Sequence, residues 1–178
     1  MYISDIRTTA PKDAPTPVAQ KFFEILDKLG IPYTWIENDE AYSMDECEEI
    51  DAVMQVHVRK NVFLCNQKKT TFFLLVMPGD KPFDTGSFSK KLGVSHMSFA
   101  PPEKMLEYLG TVPGSASIAG LPTDVDDYIQ VIVDKDVAED EWFGCNAGIN
   151  TIHVRISTKD LLTKYLPAVH HKARIVDL

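Results

Sequence analysis

The first clear pattern in the chain is a run of apolar residues at helical spacing, which begins after a stretch rich in proline. Residues 18–29 place their apolar side chains on one helical face, and Gly30 ends that pattern. Residues 1–17 hold three prolines among small polar residues, so they are predicted to form an extended lead-in. Ser43 is a candidate N-cap for a second helix, which runs through residue 54 and has an acidic first turn that suits the helix dipole.

The rest of the chain alternates between strand and helix patterns. Residues 72–77 are continuously apolar, which favours a strand covered on both faces, whereas residues 151–156 alternate apolar and polar side chains and predict a half-exposed strand. The apolar run 72–77 belongs to a strand predicted at 70–77, and further strands are predicted at 31–36, 56–65, 94–99, 128–133 and, at an edge, 174–176. Further helices are predicted at 83–92, 101–110 and 158–166, the last stopped by Pro167. This order, without a repeat or a linker, predicts a single α/β domain over residues 1–178 with a mixed sheet.

Charge and composition limit the possible partners. Hydrophobic residues make up 44% and charged residues 25% of the 178 residues, which is ordinary for a globular domain. The net charge of −8 argues against a broad basic surface for nucleic acid. Any action on RNA would need a local basic patch or a partner that holds the RNA, and the basic residues cluster in two places, at 59–60 with 68–69 and at 90–91. Solvated strand ends or helix faces are the alternative explanation for both clusters.

Several classes of protein are disfavoured by what the chain lacks. Its three cysteines are odd in number and far apart, which fits reduced thiols better than a disulfide framework. With no signal pattern and no long apolar run, a cytoplasmic protein with no membrane contact is expected. The adjacent pair His170-His171 and the scattered His57, His96 and His153 lack metal-ligand spacing, and no nucleotide-binding or hydrolase motif is present, so no metal or cofactor is expected.

One combination of residues points to a binding pocket. Lys60 stands at the head of a strand that is predicted to be buried, and residues 110–120 form a loop rich in glycine that contains Pro-Gly-Ser. Together they predict a small pocket in which an ammonium group and exposed backbone face a ligand. Taken alone, Lys60 would be read as a strand-end lysine with its head in solvent, and the loop as a surface turn.

An ordered set of motifs carries a resemblance to a known family. The chain resembles the YbaK/prolyl-tRNA-editing family, and in particular its free-standing PrdX/ProXp-ala members, from residue 22 to residue 178. The motifs are Lys60-Asn-Val-Phe-Leu64, Leu92-Gly-Val-Ser-His-Met-Ser-Phe-Ala100, Leu109-Gly-Thr-Val-Pro-Gly-Ser115 and Gly148-Ile-Asn-Thr151. The resemblance implies a single α/β domain with a mixed, barrel-like sheet that deacylates tRNA-Pro mischarged with alanine.

The resemblance also assigns roles to individual residues. Lys60 matches a lysine that is essential at the aminoacyl end of the substrate, and Asn61 completes the family's lysine-asparagine pair. The family's glycine loop, usually written GSVSPFG, matches residues 114–120. This match assigns four residues to substrate binding: Gly114, Ser115, Ile118 and Gly120. The proline-phenylalanine pair of that loop is replaced here by Ile118 and Ala119, which would reshape the pocket wall.

Two departures from the family pattern concern histidines. Asn146 stands where the family has the histidine of an HPxxNT motif, and Asn38 stands where it has an earlier histidine. Asparagine can hydrogen-bond to a substrate but cannot shuttle protons near neutral pH. Asn146 is therefore a candidate catalytic residue through hydrogen bonding alone, while Asn150 and Asn38 are candidate substrate contacts. Cys145 lies near Asn146, but no histidine close in sequence would activate it as a nucleophile.

Three hypotheses for the function remain open from the sequence. The first is a trans-acting deacylase for alanyl-tRNA-Pro that recognises the tRNA acceptor end, with prolyl-tRNA synthetase as a candidate partner. The second is a catalytically weakened member of the family that serves as a binding module for tRNA ends or for a synthetase. The third is a deacylase for tRNA charged with cysteine or serine.

Overall fold

Strands and helices alternate along the chain much as the sequence pattern predicts. The structure is a computed structural model that describes residues 1–178. The strands are β1 (Thr34–Glu37), β2 (Lys60–Asn66), β3 (Phe72–Met77), β4 (Met97–Phe99), β5 (Ile129–Asp134), β6 (Trp142–Asn146), β7 (Ile152–Ser157) and β8 (Ala173–Val176). The helices are α1 (Pro17–Lys28), α2 (Met44–Met54), α3 (Thr85–Leu92), α4 (Pro102–Leu109), a 3-10 helix (Ile118–Thr123), α5 (Lys135–Glu139), α6 (Thr158–Asp160), a π-helical turn (Leu161–Tyr165) and α7 (Leu166–Ala168).

The eight strands form two sheets. The larger has the order β4-β2-β3-β5-β8 and is mixed, because β2 pairs antiparallel with β3 and β4 whereas β5 pairs parallel with β3 and β8. The smaller is antiparallel, in the order β1-β7-β6. The sheets are linked where Val58 bridges Gly144 and the Arg59 N–H donates to the Gly144 carbonyl at 3.0 Å. The α/β class with barrel-like sheets is therefore confirmed, although the strands do not close into a barrel.

Strand β3 lies between two apolar layers. Phe72, Leu74 and Val76 belong to the largest core cluster, which also holds the buried face of α1, and the alternate residues of β3 belong to a smaller cluster with α3. All six β3 side chains are buried, as the uninterrupted apolar run predicts. This strand fixes the position of β2, and therefore of Lys60, which lies opposite Met77 in the register.

Three local features differ from the sequence prediction. Strand β7 is mostly buried rather than half-exposed, because it is the centre of the smaller sheet, and β6 beside it was not predicted at all. Pro167 does not stop the last helix, which continues through Ala168. A π-helical turn precedes Pro167, and proline, which lacks an N–H, is tolerated in the first turn of the segment that follows.

The predicted lead-in runs beside β1 and ends at Thr16, because Pro17 is already the first residue of α1. Its backbone forms isolated bridges between Ile3 and Asn38 and between Arg7 and Trp35, and the Thr16 side chain then caps α1. The segment therefore covers an edge of the smaller sheet. None of the helices is long and apolar enough to span a lipid bilayer.

Candidate functional site

A cavity of about 450 Å³ lies where the start of β2, the loop after α4 and the adjoining ends of β6 and β7 meet. We call it the site cavity. It brings together residues that are far apart in the sequence, including five of the predicted site residues. Those five are Lys60, Asn61, Gly114, Asn146 and Asn150.

The Lys60 ammonium is held at the side of the site cavity by a loop carbonyl. Its Nζ donates to the backbone oxygen of Lys81 at 3.0 Å. That carbonyl is itself fixed, because the Lys81 side chain binds the carboxylates of Asp134 and Asp136, each at 2.9 Å. An ammonium has three N–H donors, so Lys60 keeps two for a ligand in the cavity.

Asn61 contributes an acceptor that no protein group satisfies. Its amide nitrogen donates to the carbonyl of Arg59 at 3.2 Å, whereas its Oδ1 is buried without a hydrogen-bond partner. A buried acceptor without a partner costs about 1–3 kcal/mol, so such atoms in a binding cavity are typical sites for a ligand donor.

Asn146 holds the glycine-rich loop in place. Its amide nitrogen donates to the carbonyl of Ala116 at 3.3 Å, and its Oδ1 accepts from the Gly148 N–H at 2.8 Å. Its backbone carbonyl also accepts from the Ser117 hydroxyl at 2.6 Å. The side chain lines the cavity, and these bonds leave it one N–H and one Oδ1 lone pair for a substrate.

The loop that follows α4 lines the site cavity only at its start. Gly114 has φ +91°, and a Cβ built there would lie 3.3 Å from the ring of Tyr42, so glycine lets this backbone pack against the tyrosine. Beyond it the chain turns into the core. Ile118 is 1% exposed, and a Cβ at Gly120 would lie 2.3 Å from the carbonyl oxygen of Leu109.

The substrate contacts expected from the loop therefore reduce to one residue. Ser115, Ile118 and Gly120 are buried and are not among the residues that line the cavity. Ile118 instead offers its carbonyl to the Tyr165 hydroxyl at 2.8 Å, and Gly120 allows the 3-10 helix to approach α4. Their place in the glycine motif reflects packing of the loop.

His153 lines the site cavity, whereas the sequence analysis considered it only as a metal ligand and found no metal-ligand spacing. In the β6–β7 register it lies directly opposite Asn146, and Ile36 lies on its other side. Its Nδ1 is 2.9 Å from the Oδ1 of Asn38. The family motif gave no indication of this residue. The sequence signal that could have found His153 was the alternation of apolar and polar residues in β7. That alternation becomes informative only once β6 is known to pair with β7.

The hydrogen bonds of Asn38 determine the tautomer of His153. The Asn38 amide nitrogen donates to two carbonyls, those of Asp39 at 2.7 Å and Asn150 at 3.0 Å. Its Oδ1 must therefore accept, so the His153 Nδ1 carries the proton and Nε2 is a free acceptor. Asn38 does not line the cavity as expected for a substrate contact; it lies behind His153 and orients it.

Burial of the imidazole lowers the pKa of His153 to about 4. An unfolded histidine titrates near about 6.5, so below that pH the unfolded state binds more protons than the folded state. The free energy of unfolding is then expected to fall by about 2 kcal/mol between about pH 7.5 and about pH 5 on account of His153 alone. Glutamine does not titrate, so the measurement is the difference in urea unfolding between the wild type and His153→Gln across this range. A difference that stays constant with pH would contradict the neutral, buried imidazole.

The thiols near the site are not activated. Burial raises the pKa of Cys145 to about 12 and that of Cys47, which lines the cavity, to about 11. Both are therefore protonated near neutral pH, which makes them poor nucleophiles. This agrees with the expectation that Cys145 is not a catalytic thiol.

One cluster outside the cavity contains groups that could ligate a metal. Single atoms of Asp124, Asp127 and His171 all lie within 4.8 Å of one another. The Asp124 carboxylate, however, accepts backbone N–H bonds from Tyr128 and Ile129 and lies 2.9 Å from the His171 Nε2. These bonds occupy its oxygens, so the cluster is explained as a structural hydrogen-bond network.

Two exposed aromatic rings flank the opening of the site cavity. Tyr42 and Phe99 line the cavity, and each is 65% exposed. Large exposed aromatic side chains beside a cavity are suited to stacking against planar ligand groups, including nucleobases.

The chain is similar to several proteins concerned with tRNA editing. The family profile described as aminoacyl-tRNA editing domain matches residues 38–164. The prolyl-tRNA editing protein ProX of Acetoanaerobium sticklandii is 31% identical over 136 residues, which cover 76% of this chain and 83% of ProX. The prolyl-tRNA synthetase associated domain-containing protein 1 of Danio rerio is 26% identical over 160 residues, covering 89% of this chain and 86% of that protein.

A solved structure of similar fold has been described as a candidate trans-editing enzyme for prolyl-tRNA synthetase. It superposes with a TM-score of 0.69 at 18% identity, covering 93% of this chain and 98% of its own. Its fold therefore agrees with the profile match, which spans most of the chain, and with the identity to ProX. The protein belongs to the aminoacyl-tRNA editing domain family.

Proposed function

We propose that the protein is a trans-acting aminoacyl-tRNA hydrolase that removes alanine from mischarged tRNA-Pro. The convergence of Lys60, Asn61 and Gly114 on one cavity, in a member of the editing family, is the observation that carries the proposal. The relatives ProX and the Danio rerio protein, whose names refer to prolyl-tRNA editing and to prolyl-tRNA synthetase, support tRNA-Pro as the substrate and the synthetase as a partner.

The reaction needs positioning more than strong acid–base chemistry, because an aminoacyl ester is already activated. The two free donors of Lys60 would bind the ester carbonyl oxygen, where negative charge develops as water attacks. The Oδ1 of Asn61 would accept from the substrate's α-amino group, which supplies the donor it lacks. The exposed rings of Tyr42 and Phe99 would stack on the bases of the acceptor end.

A second candidate function is a binding module for tRNA ends or for a synthetase. Asn146, at the position of a family histidine, uses most of its polar groups to hold the loop and cannot take up a proton. A protein of this kind would bind an alanyl-adenosine analogue without hydrolysing the ester of alanyl-tRNA-Pro.

The proposal is tested by deacylation of tRNA-Pro charged with alanine, cysteine, serine or proline. We expect alanyl-tRNA-Pro to be hydrolysed fastest, and prolyl-tRNA-Pro to have a kcat/KM lower by about 10- to 200-fold, since a small pocket excludes the larger side chain. Each charged tRNA incubated without protein provides the control. Faster hydrolysis of cysteinyl- or seryl-tRNA-Pro would mean that cysteine or serine, rather than alanine, is the amino acid removed. Hydrolysis of none of the charged tRNAs would favour the binding module.

A further inference from the structure

His153 presents an unprotonated nitrogen to the site cavity. The residue is 3% exposed and lines the cavity, and no protein group hydrogen-bonds to its Nε2. On the cavity side it therefore offers a single acceptor, whose orientation is set by the bond between Nδ1 and Asn38.

The support behind the imidazole is rigid. Asn38 is 5% exposed, and its amide nitrogen donates to two backbone carbonyls, so the amide can neither flip nor exchange its acceptor oxygen for a donor. One of those carbonyls belongs to Asn150, which also lines the cavity. This arrangement, an imidazole held through its second nitrogen by a fixed acceptor, is how proteins orient a histidine that works through its free nitrogen.

We propose that His153, oriented by Asn38, accepts the proton of the water that attacks the aminoacyl ester. The inference rests on the proposed function, and it assigns the proton transfer that Asn146 cannot perform. Because His153 lies opposite Asn146 in the register, the two side chains stand on neighbouring strands at the same end of the cavity. His153 is the catalytic group in this scheme, and Asn38 is a positioning residue.

The proposed step balances without any further reactant. The water oxygen bonds to the ester carbonyl carbon while one water proton passes to Nε2, which gives an imidazolium and a tetrahedral oxyanion. When this intermediate collapses, the ester C–O bond breaks and the leaving ribose oxygen takes the proton from Nε2. The products are the free amino acid and a tRNA with its terminal hydroxyl restored. The Oδ1 of Asn38 stabilises the imidazolium through the N–H of Nδ1.

The kinetic test compares His153→Gln with the wild type on alanyl-tRNA-Pro. Glutamine can still hydrogen-bond to water but cannot take up its proton, so kcat is expected to fall by about 100-fold with KM nearly unchanged. His96→Gln, a change at an exposed histidine, is the matched control and should leave both constants unaltered. Asn38→Leu should lower kcat by about 10-fold, since the tautomer of His153 is then no longer fixed.

A spectroscopic measurement tests the same inference even if a variant does not fold. The nitrogen NMR shifts of His153 in the wild type near neutral pH should show a protonated Nδ1 and a bare Nε2. The opposite tautomer, or an imidazolium, would overturn the proposal. In Asn38→Leu the spectrum should move towards a mixture of tautomers, which a merely structural role for Asn38 in the fold would not produce.

The outcomes separate the inference from the proposed function. An active wild type together with a fully active, folded His153→Gln would overturn the role of His153 and leave the editing function intact. A wild type that hydrolyses none of the charged tRNAs would overturn both. Loss of kcat in His153→Gln with an unchanged KM, in a protein that remains folded, supports the proposal.

Discussion

Lys60→Ala is expected to lower kcat/KM for alanyl-tRNA-Pro by about 100- to 1000-fold, the usual cost of removing a donor to a developing oxyanion. The site cavity offers few replacements for the lost charge. Arg59 is the other cationic side chain in its lining, but it is buried and its guanidinium contacts Asp140 at 2.5 Å. His153 is neutral near pH 7, because burial lowers its pKa to about 4. The measurement is single-turnover deacylation with each protein.

Two further variants make the result specific to the ammonium group. Lys60→Met keeps the apolar part of the side chain and should be as inactive as Lys60→Ala, which would show that charge rather than packing is needed. Lys28→Ala removes an exposed lysine on α1, outside the site cavity and outside both basic clusters, and should retain full activity. Full activity in Lys60→Ala would exclude the proposed oxyanion contact.

The second large effect is expected on stability. Asp124→Ala should lower the free energy of unfolding by about 3–5 kcal/mol, because it leaves a buried histidine and two backbone N–H groups without their partner. Asp124 is 3% exposed, and its carboxylate joins the start of β5 to the segment that precedes β8 through His171. Because none of these groups lines the site cavity, the folded fraction of this variant should remain active.

Urea denaturation would provide the measurement, with Asp126→Ala as the matched control. Asp126 is exposed and only two residues away, so its replacement should change the free energy of unfolding by less than about 0.5 kcal/mol. If Asp124→Ala costs no more than this control, the buried network does not contribute as described.

Local patterns in the sequence predicted the elements better than their arrangement. The apolar run of β3 and the Ser43 cap depend on neighbouring residues only, and both are confirmed, the latter as a reciprocal capping box with Glu46. Strand β6 was missed because its five residues include Gly144 and do not alternate. The pairing of β6 with β7 is non-local, and no pattern within either strand specifies it.

The same distinction applies to the candidate site. Lys60 and Asn61 follow from a motif on a single strand, and the structure places both in the cavity lining. Ile118 was assigned from the position of a motif, but the 3-10 helix turns it into the core. The bond from Lys60 to the Lys81 carbonyl and the contact of His153 with Asn38 join residues 21 and 115 positions apart, so they become visible only in the folded chain.

The register of β6 and β7 has a consequence for how such proteins are compared. Asn146 and His153 are seven positions apart along the chain, yet they face each other across the ladder and share one cavity. In the proposed scheme the proton acceptor stands on β7, directly across the ladder from the β6 position at which the family resemblance expects a histidine. A column-by-column alignment would record this arrangement only as a missing histidine. Members of the family that lack the motif histidine are better compared by the side chains that line the cavity.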